Sequence, residues 1–146
     1  MGVPTILVAS DAPSVRAEVV AIAQRPDVTV VEARSGPEVM REVNQSLPDL
    51  VVVDLQMGNM GGMAVALELT LEASYDKIGH VPVLMLLDRR PDVFIARRSG
   101  AEGWVVKPLD PIRLRRAITS LLDGGTYYDE SYQPLSVVST PAPAGA

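Results

Sequence analysis

Leu50-Val51-Val52-Val53-Asp54-Leu55-Gln56-Met57 is the stretch on which the fold turns. A leucine and three valines run without polar alternation into a single carboxylate. A strand of that composition is buried on both faces, as in a parallel sheet covered by helices. Ligands of open α/β sheets sit in the crevice outside the C-terminal ends of the strands. Asp54 is therefore expected at that rim, where an acid is a candidate for chemistry. Gly58, Gly61 and Gly62 follow it and are expected to loosen the loop.

The same grammar repeats on either side. Thr5 to Ala9 reads as a first strand, followed by Ser10-Asp11-Ala12-Pro13 and a helix from about Pro13 to Gln24, for which Asp11 is a candidate cap. Val28 to Ala33 reads as a second strand, and Ser35 as the N-cap of a helix running to about Gln45. After the strand ending at Asp54 come a helix over Met63 to Ala73, a fourth strand over Val81 to Leu87, and a helix stopping near Gly100. Gly103 to Val106 is a short fifth strand, ended by Lys107-Pro108. Asp110 caps a last helix from Pro111 to Leu122, and Gly124-Gly125 terminate it. Five strands alternating with five helices predict a doubly wound five-stranded parallel sheet, (βα)5, of the α/β class. The expected organisation is one domain over residues 1–124 and a flexible tail over 125–146. The tail's Ser-, Thr-, Pro- and Ala-rich end cannot bury enough apolar surface to offset ordering. Tyr127, Tyr128 and Tyr132 either dock back on the domain, which is the preferred reading, or meet a partner.

Composition narrows the function classes. The chain has 146 residues and no cysteine, which excludes disulfides, thiolate zinc sites and cysteine nucleophiles. No signal peptide and no membrane-length apolar run is visible, so a cytoplasmic protein with no membrane partner is expected. The net charge of -5 disfavours direct DNA binding. From Asp88 to Gly124, however, eight Lys/Arg stand against five Asp/Glu, a locally basic segment suited to an acidic protein surface. The single histidine, His80, sits in a Gly-His-Val-Pro turn and supports neither a Ser/His/Asp triad nor a histidine metal site. Met57, Met60 and Met63 read as loop and core filler.

Three strand ends present polar groups to one rim. The first gives Ser10 and Asp11, the third Asp54, the fifth Lys107. Two carboxylates near each other make a hard oxygen site suited to Mg²⁺, which keeps several waters. A lysine beside them pairs with a carboxylate or with a phosphoryl oxygen. Such a site is fit to accept a phosphoryl group on an aspartate.

The segments Ile6-Leu7-Val8-Ala9-Ser10-Asp11, Val53-Asp54-Leu55-Gln56-Met57, Val81-Pro82-Val83-Leu84-Met85 and Gly103-Trp104-Val105-Val106-Lys107-Pro108 stand in this order at βα spacing. With them the chain, from about Pro4 to Leu122, resembles the receiver domain of two-component response regulators, a flavodoxin-like fold. The resemblance implies a phosphorelay signalling role and no enzymatic one. Asp54 matches the phosphoacceptor, and a histidine kinase or phosphotransfer protein the donor. Asp11, Asp54 and the backbone carbonyl of Gln56 match Mg²⁺ ligands, and Ser10 a weaker, water-mediated contact. Lys107 matches the phosphoryl-sensing lysine and Trp104 an aromatic switch on the output face. Four positions depart from the pattern. Ser10 replaces an acid, Gly58 a proline, and Leu87 a Ser or Thr whose hydroxyl would bond the phosphoryl group; leucine has no donor. Asp88 replaces a small residue and brings a like charge toward the phosphoryl site; it is equally readable as a cap or as a partner of Arg89 or Arg90.

The leading expectation is a stand-alone receiver that signals by protein contact, through the basic surface of the last two helices (Arg97, Arg98, Arg113, Arg115, Arg116). Whether that face also pairs two copies is open. The alternative is a degenerate pseudo-receiver acting as a phosphorylation-independent interaction module. A phosphoaspartate hydrolase lacks its usual second acid, since Gln56 holds that place. A flavin binder is disfavoured because Asp11 sits where phosphate would need backbone donors.

Overall fold

A computed structural model describes residues 2–130. Residues 131–146, which include Tyr132 and most of the expected flexible tail, lie outside the described residues. The elements in chain order are β1 (Thr5–Ala9), α1 (Pro13–Ala23), β2 (Thr29–Ala33), α2 (Gly36–Gln45), β3 (Leu50–Asp54), α3 (Gly62–Ser74), β4 (Val83–Leu87), a 3-10 turn (Arg90–Asp92), α4 (Val93–Ser99), β5 (Gly103–Val106), α5 (Pro111–Leu122) and β6 (Tyr127–Tyr128).

The helix starts follow from local chemistry. Ser35 accepts the N–H of Glu38 at 3.2 Å and Asp110 that of Ile112 at 3.0 Å, each ahead of a helix with proline in its first turn. α4 ends on Gly100 at φ +80°, a left-handed stop that suits glycine. Asp11 does not cap α1; the N–H of Ala12 goes instead to Ser10 Oγ at 3.1 Å. Asp88 does not cap α4 either. Asp92 takes the N–H of Arg89 at 3.2 Å, so Asp88 is left for another partner.

All strand pairs are parallel, in the order β2-β1-β3-β4-β5-β6. Strand periodicity divides the core into two layers. Val51, Val53, Met85, Leu87, Trp104 and Val106 pack with the inner residues of α2, α3 and α4. Leu50, Val52, Leu84, Leu86 and Val105 pack with those of α1 and α5. β3 and β4 are buried at every position, as their unbroken apolar runs require.

The sheet departs from the expected five strands by one. β6 adds outside β5, with Gly103 opposite Tyr127 and Trp104 opposite Tyr128. The chain turns back after α5 through Gly124 at φ +88°. A side chain at 103 would meet the Tyr127 carbonyl at 2.8 Å, so glycine at that position admits the neighbouring strand.

Candidate functional site

The topology gathers Ser10, Asp54, Asp88 and Lys107 at the C-terminal rim. β3 is central, flanked by β1 and β4, and β5 lies one strand further out. Asp54, the last residue of β3, has a side chain only 3% exposed. Its two oxygens have different partners. Oδ2 accepts the Ser10 hydroxyl at 2.8 Å, and Oδ1 accepts the Lys107 ammonium at 2.9 Å. The loop beyond Asp54 folds tightly over the strand end. A side chain at Gly62 would meet the Asp54 carbonyl at 2.9 Å, so this glycine brings the start of α3 against the rim. Gly58 is tied as well: its N–H donates to Asp11 Oδ2 at 2.8 Å, which fastens the end of β1 to the loop after β3. Gln56 is exposed in that loop.

Lys107 holds a second carboxylate. Its ammonium lies 2.8 Å from Asp88 Oδ1, so one lysine bridges the ends of β3 and β4 from the end of β5. Burial works against its charge. The hydrogen bonds to Asp88 and Asp54, with the field of both carboxylates, outweigh burial and raise its pKa above the ordinary 10.5. Asp88 is 40% exposed and Lys107 21%, so the outer pair is partly solvated and the inner pair is not. Lys107 precedes Pro108 through a cis peptide, and its own N–H donates to the Leu87 carbonyl at 2.8 Å.

Leu87 is fully buried in the α2–α4 core layer. Among the described residues, the side chains hydrogen-bonded to this carboxylate cluster are Ser10 and Lys107, and no hydroxyl replaces the one leucine lacks at the end of β4. Arg16 donates to the Ser10 carbonyl at 2.7 Å and pairs with Glu32 at 3.3 Å, bracing the end of β1 from α1.

Trp104 is buried, with its ring stacked on Tyr128 at 4.5 Å between centroids and 26° between planes. The Arg97 guanidinium stands 5.2 Å from the ring centroid. The indole N–H has no hydrogen-bond partner among the described residues. His80 is exposed and lies 2.8 Å from Glu102 at the opposite rim.

Sequence reasoning named the rim residues but missed two things. The Asp88–Lys107 contact carries no local signal, since it joins residues 19 apart on neighbouring strands. The second is the form of the tyrosine docking: Tyr127 and Tyr128 dock back on the domain as preferred, but that they do so as a sixth strand had only a weak signal, two aromatic residues of high strand propensity shortly after a glycine turn.

The Asp54 carboxylate with the Ser10 hydroxyl on it, and the Asp11 carboxylate on the neighbouring loop, are hard oxygen donors of the type that suits a cation retaining water. Among the described residues no cluster of three or more acidic, cysteine or histidine side chains forms a fuller cage. No helix among them is long and apolar enough to cross a membrane.

The comparisons agree with this geometry. The family described as "Response regulator receiver domain" matches residues 6–119. An uncharacterized response regulatory protein of Mycobacterium tuberculosis is 38% identical over 98 residues, 66% of this chain and 70% of its own. The nitrate/nitrite response regulator NarL of Escherichia coli is 33% identical over 92% of this chain and 62% of its own length. Among solved structures, a LuxR-family two-component response regulator from Aurantimonas matches at TM-score 0.72 and 30% identity, covering 84% of this chain and 87% of that one.

Proposed function

The chain belongs to the response regulator receiver family of two-component signal transduction, a family of signalling modules, and from that premise we propose that it accepts a phosphoryl group on Asp54 and transmits the change by protein contact. The observation that carries this reading is the buried Asp54 carboxylate, held between a neutral hydroxyl on one oxygen and the Lys107 ammonium on the other. Each oxygen keeps a further lone-pair direction, so the carboxylate is oriented but not exhausted as a nucleophile.

In the proposed transfer an Asp54 oxygen attacks the phosphorus of a phosphohistidine on a kinase or phosphotransfer protein. The phosphorus–nitrogen bond breaks, its electron pair stays on the imidazole, and the new phosphorus–oxygen bond leaves an acyl phosphate on Asp54. Asp11, Asp54 and the Gln56 carbonyl would hold Mg²⁺, with the Ser10 hydroxyl beside them. The ion supplies positive charge against the transferring oxygens. Ser10 sets the orientation of Oδ2. Lys107 gives its charge to a phosphoryl oxygen, which requires it to leave one of its two carboxylates. The basic surface of α4 and α5 (Arg97, Arg98, Arg113, Arg116) is the proposed contact face for an acidic partner; Arg115, expected there as well, turns instead to α1, where it donates to the Ile22 carbonyl.

The test is incubation with a small phosphodonor and Mg²⁺, followed by intact-mass measurement at early times, with Asp54→Asn in parallel. A phosphate-sized adduct on the parent and none on Asp54→Asn is expected. No adduct on the parent, with hydrolysis controlled for, overturns the reading.

A second reading is supported by the end of β4. Leu87 is committed to the core, and Asp88 already holds the lysine that a phosphoryl group would recruit. Under this reading the protein is a pseudo-receiver whose contacts do not depend on phosphate. Asp54→Asn would then leave the affinity for any captured partner unchanged, and a large loss would remove this version.

A further inference from the structure

The segment after α5 is fastened to β5 at every residue from 127 to 129. The Tyr127 N–H donates to the Glu102 carbonyl at 3.1 Å, and the Asp129 N–H to the Trp104 carbonyl at 3.2 Å. Tyr128 lies on the Trp104 ring. Asp129 is buried; its Oδ2 accepts the Val106 N–H at 2.9 Å, and Oδ1 stands 3.8 Å from Arg113 Nε. Without this segment β5 would be an edge strand with unpaired N–H and C=O groups. The residue after Val106 is Lys107, whose side chain bridges Asp54 and Asp88. The last hydrogen bond of the segment is therefore one residue from the site.

We infer that Tyr127–Asp129 is a strap that holds the end of β5, and with it Lys107, so that loosening the strap and filling the Asp54 site favour each other. A group on Asp54 must draw the ammonium toward itself and away from Asp88, and a strand end clamped by a buried carboxylate resists that displacement. Linkage makes the effect reciprocal. The second half of the inference rests on the phosphoacceptor reading; the first half does not.

The test uses the full chain and two single variants, Tyr128→Ala and Asp129→Ala. Tyr128 is half exposed, so its removal leaves the core intact even where Asp129→Ala lowers stability. Trp104 is the sole tryptophan, and its emission should become more accessible to a soluble quencher in both variants. Amide exchange at Val106 should rise roughly ten- to a hundred-fold in Asp129→Ala, the loss of a hydrogen bond to a charged acceptor. Exchange at Lys107, whose N–H bonds Leu87 rather than the strap, should rise with it. Faster exchange at Val106 with Lys107 unchanged, or no change at either, overturns the strap. The second arm adds Mg²⁺ and beryllofluoride and follows bound fluorine by NMR. The variants should bind at least about threefold more tightly than the parent, and loading the parent should speed exchange at Val106. Equal affinities overturn the linkage. No bound fluorine in any of the three overturns the phosphoacceptor reading instead, while exchange at Lys107 still decides the strap.

Discussion

The two flanks of Asp54 are built differently. On the β1 side a neutral hydroxyl reaches Oδ2, and the neighbouring acid, Asp11, is engaged with the Gly58 backbone. On the β4–β5 side the contacts are ionic, with one ammonium shared between a buried and a half-exposed carboxylate. The β1 flank orients the Asp54 carboxylate without neutralising it. The other flank sets its charge balance, and Asp88 there competes for the charge that a phosphoryl group would use. On the proposed phosphoacceptor reading, the site keeps its carboxylate and lysine while one added carboxylate shifts the balance of its response.

Removing the lysine tests that contrast most severely. Lys107→Met leaves a buried carboxylate with a single hydroxyl partner and should cost about 3 kcal/mol in urea unfolding at neutral pH, since breaking a buried pair strands its other half. A loss below about 1 kcal/mol would mean that the β1 flank alone satisfies Asp54. Leu87→Thr comes next. It removes apolar volume from a fully buried position and buries a hydroxyl, for about 2–3 kcal/mol of lost stability. In exchange it places a donor at the end of β4, so the adduct formed with a small phosphodonor should live longer; an unchanged adduct lifetime would show that residue 87 does not reach the phosphoryl group.

Asp88→Ala sharpens the comparison from the charge side. Phosphodonor labelling should speed up about two- to fivefold, the ~0.5–1 kcal/mol expected of a partly exposed ion pair. A slower reaction would show that Asp88 positions Lys107 productively instead of withholding it. The smallest effect concerns Tyr127. Burial and then the nearby Asp129 charge raise its phenol above the ordinary pKa of 10.0. The folded state therefore holds this proton longer than the unfolded chain. The stabilisation is fully present below pH 10 and is lost as pH rises through the folded value. Urea midpoints of the parent and Tyr127→Phe should differ by a constant amount up to about pH 9. Above pH 10 the parent should fall faster, and parallel curves would place Tyr127 in water.

The β3 stretch announced a buried parallel strand because valines without polar alternation suit a strand covered on both faces, and β3 is buried throughout. Ser35 and Asp110 were legible as caps because a cap is a contact between residues two or three apart. Asp11 and Asp88 were misread as possible caps for the same reason: local chemistry offered them a local partner, and the fold supplied a distant one. The sixth strand was hidden because two residues carry no periodicity of their own.

Local pattern by itself determined the alternation of elements, the helix caps and the residues standing at the strand ends, since each depends on neighbours along the chain. Tertiary structure alone decided that Lys107 is shared between Asp54 and Asp88, that Leu87 turns into the core, and that Tyr127–Asp129 close the edge of β5. Those outcomes depend on which strands lie side by side, and strand order is fixed only when helices and sheet bury their apolar faces together.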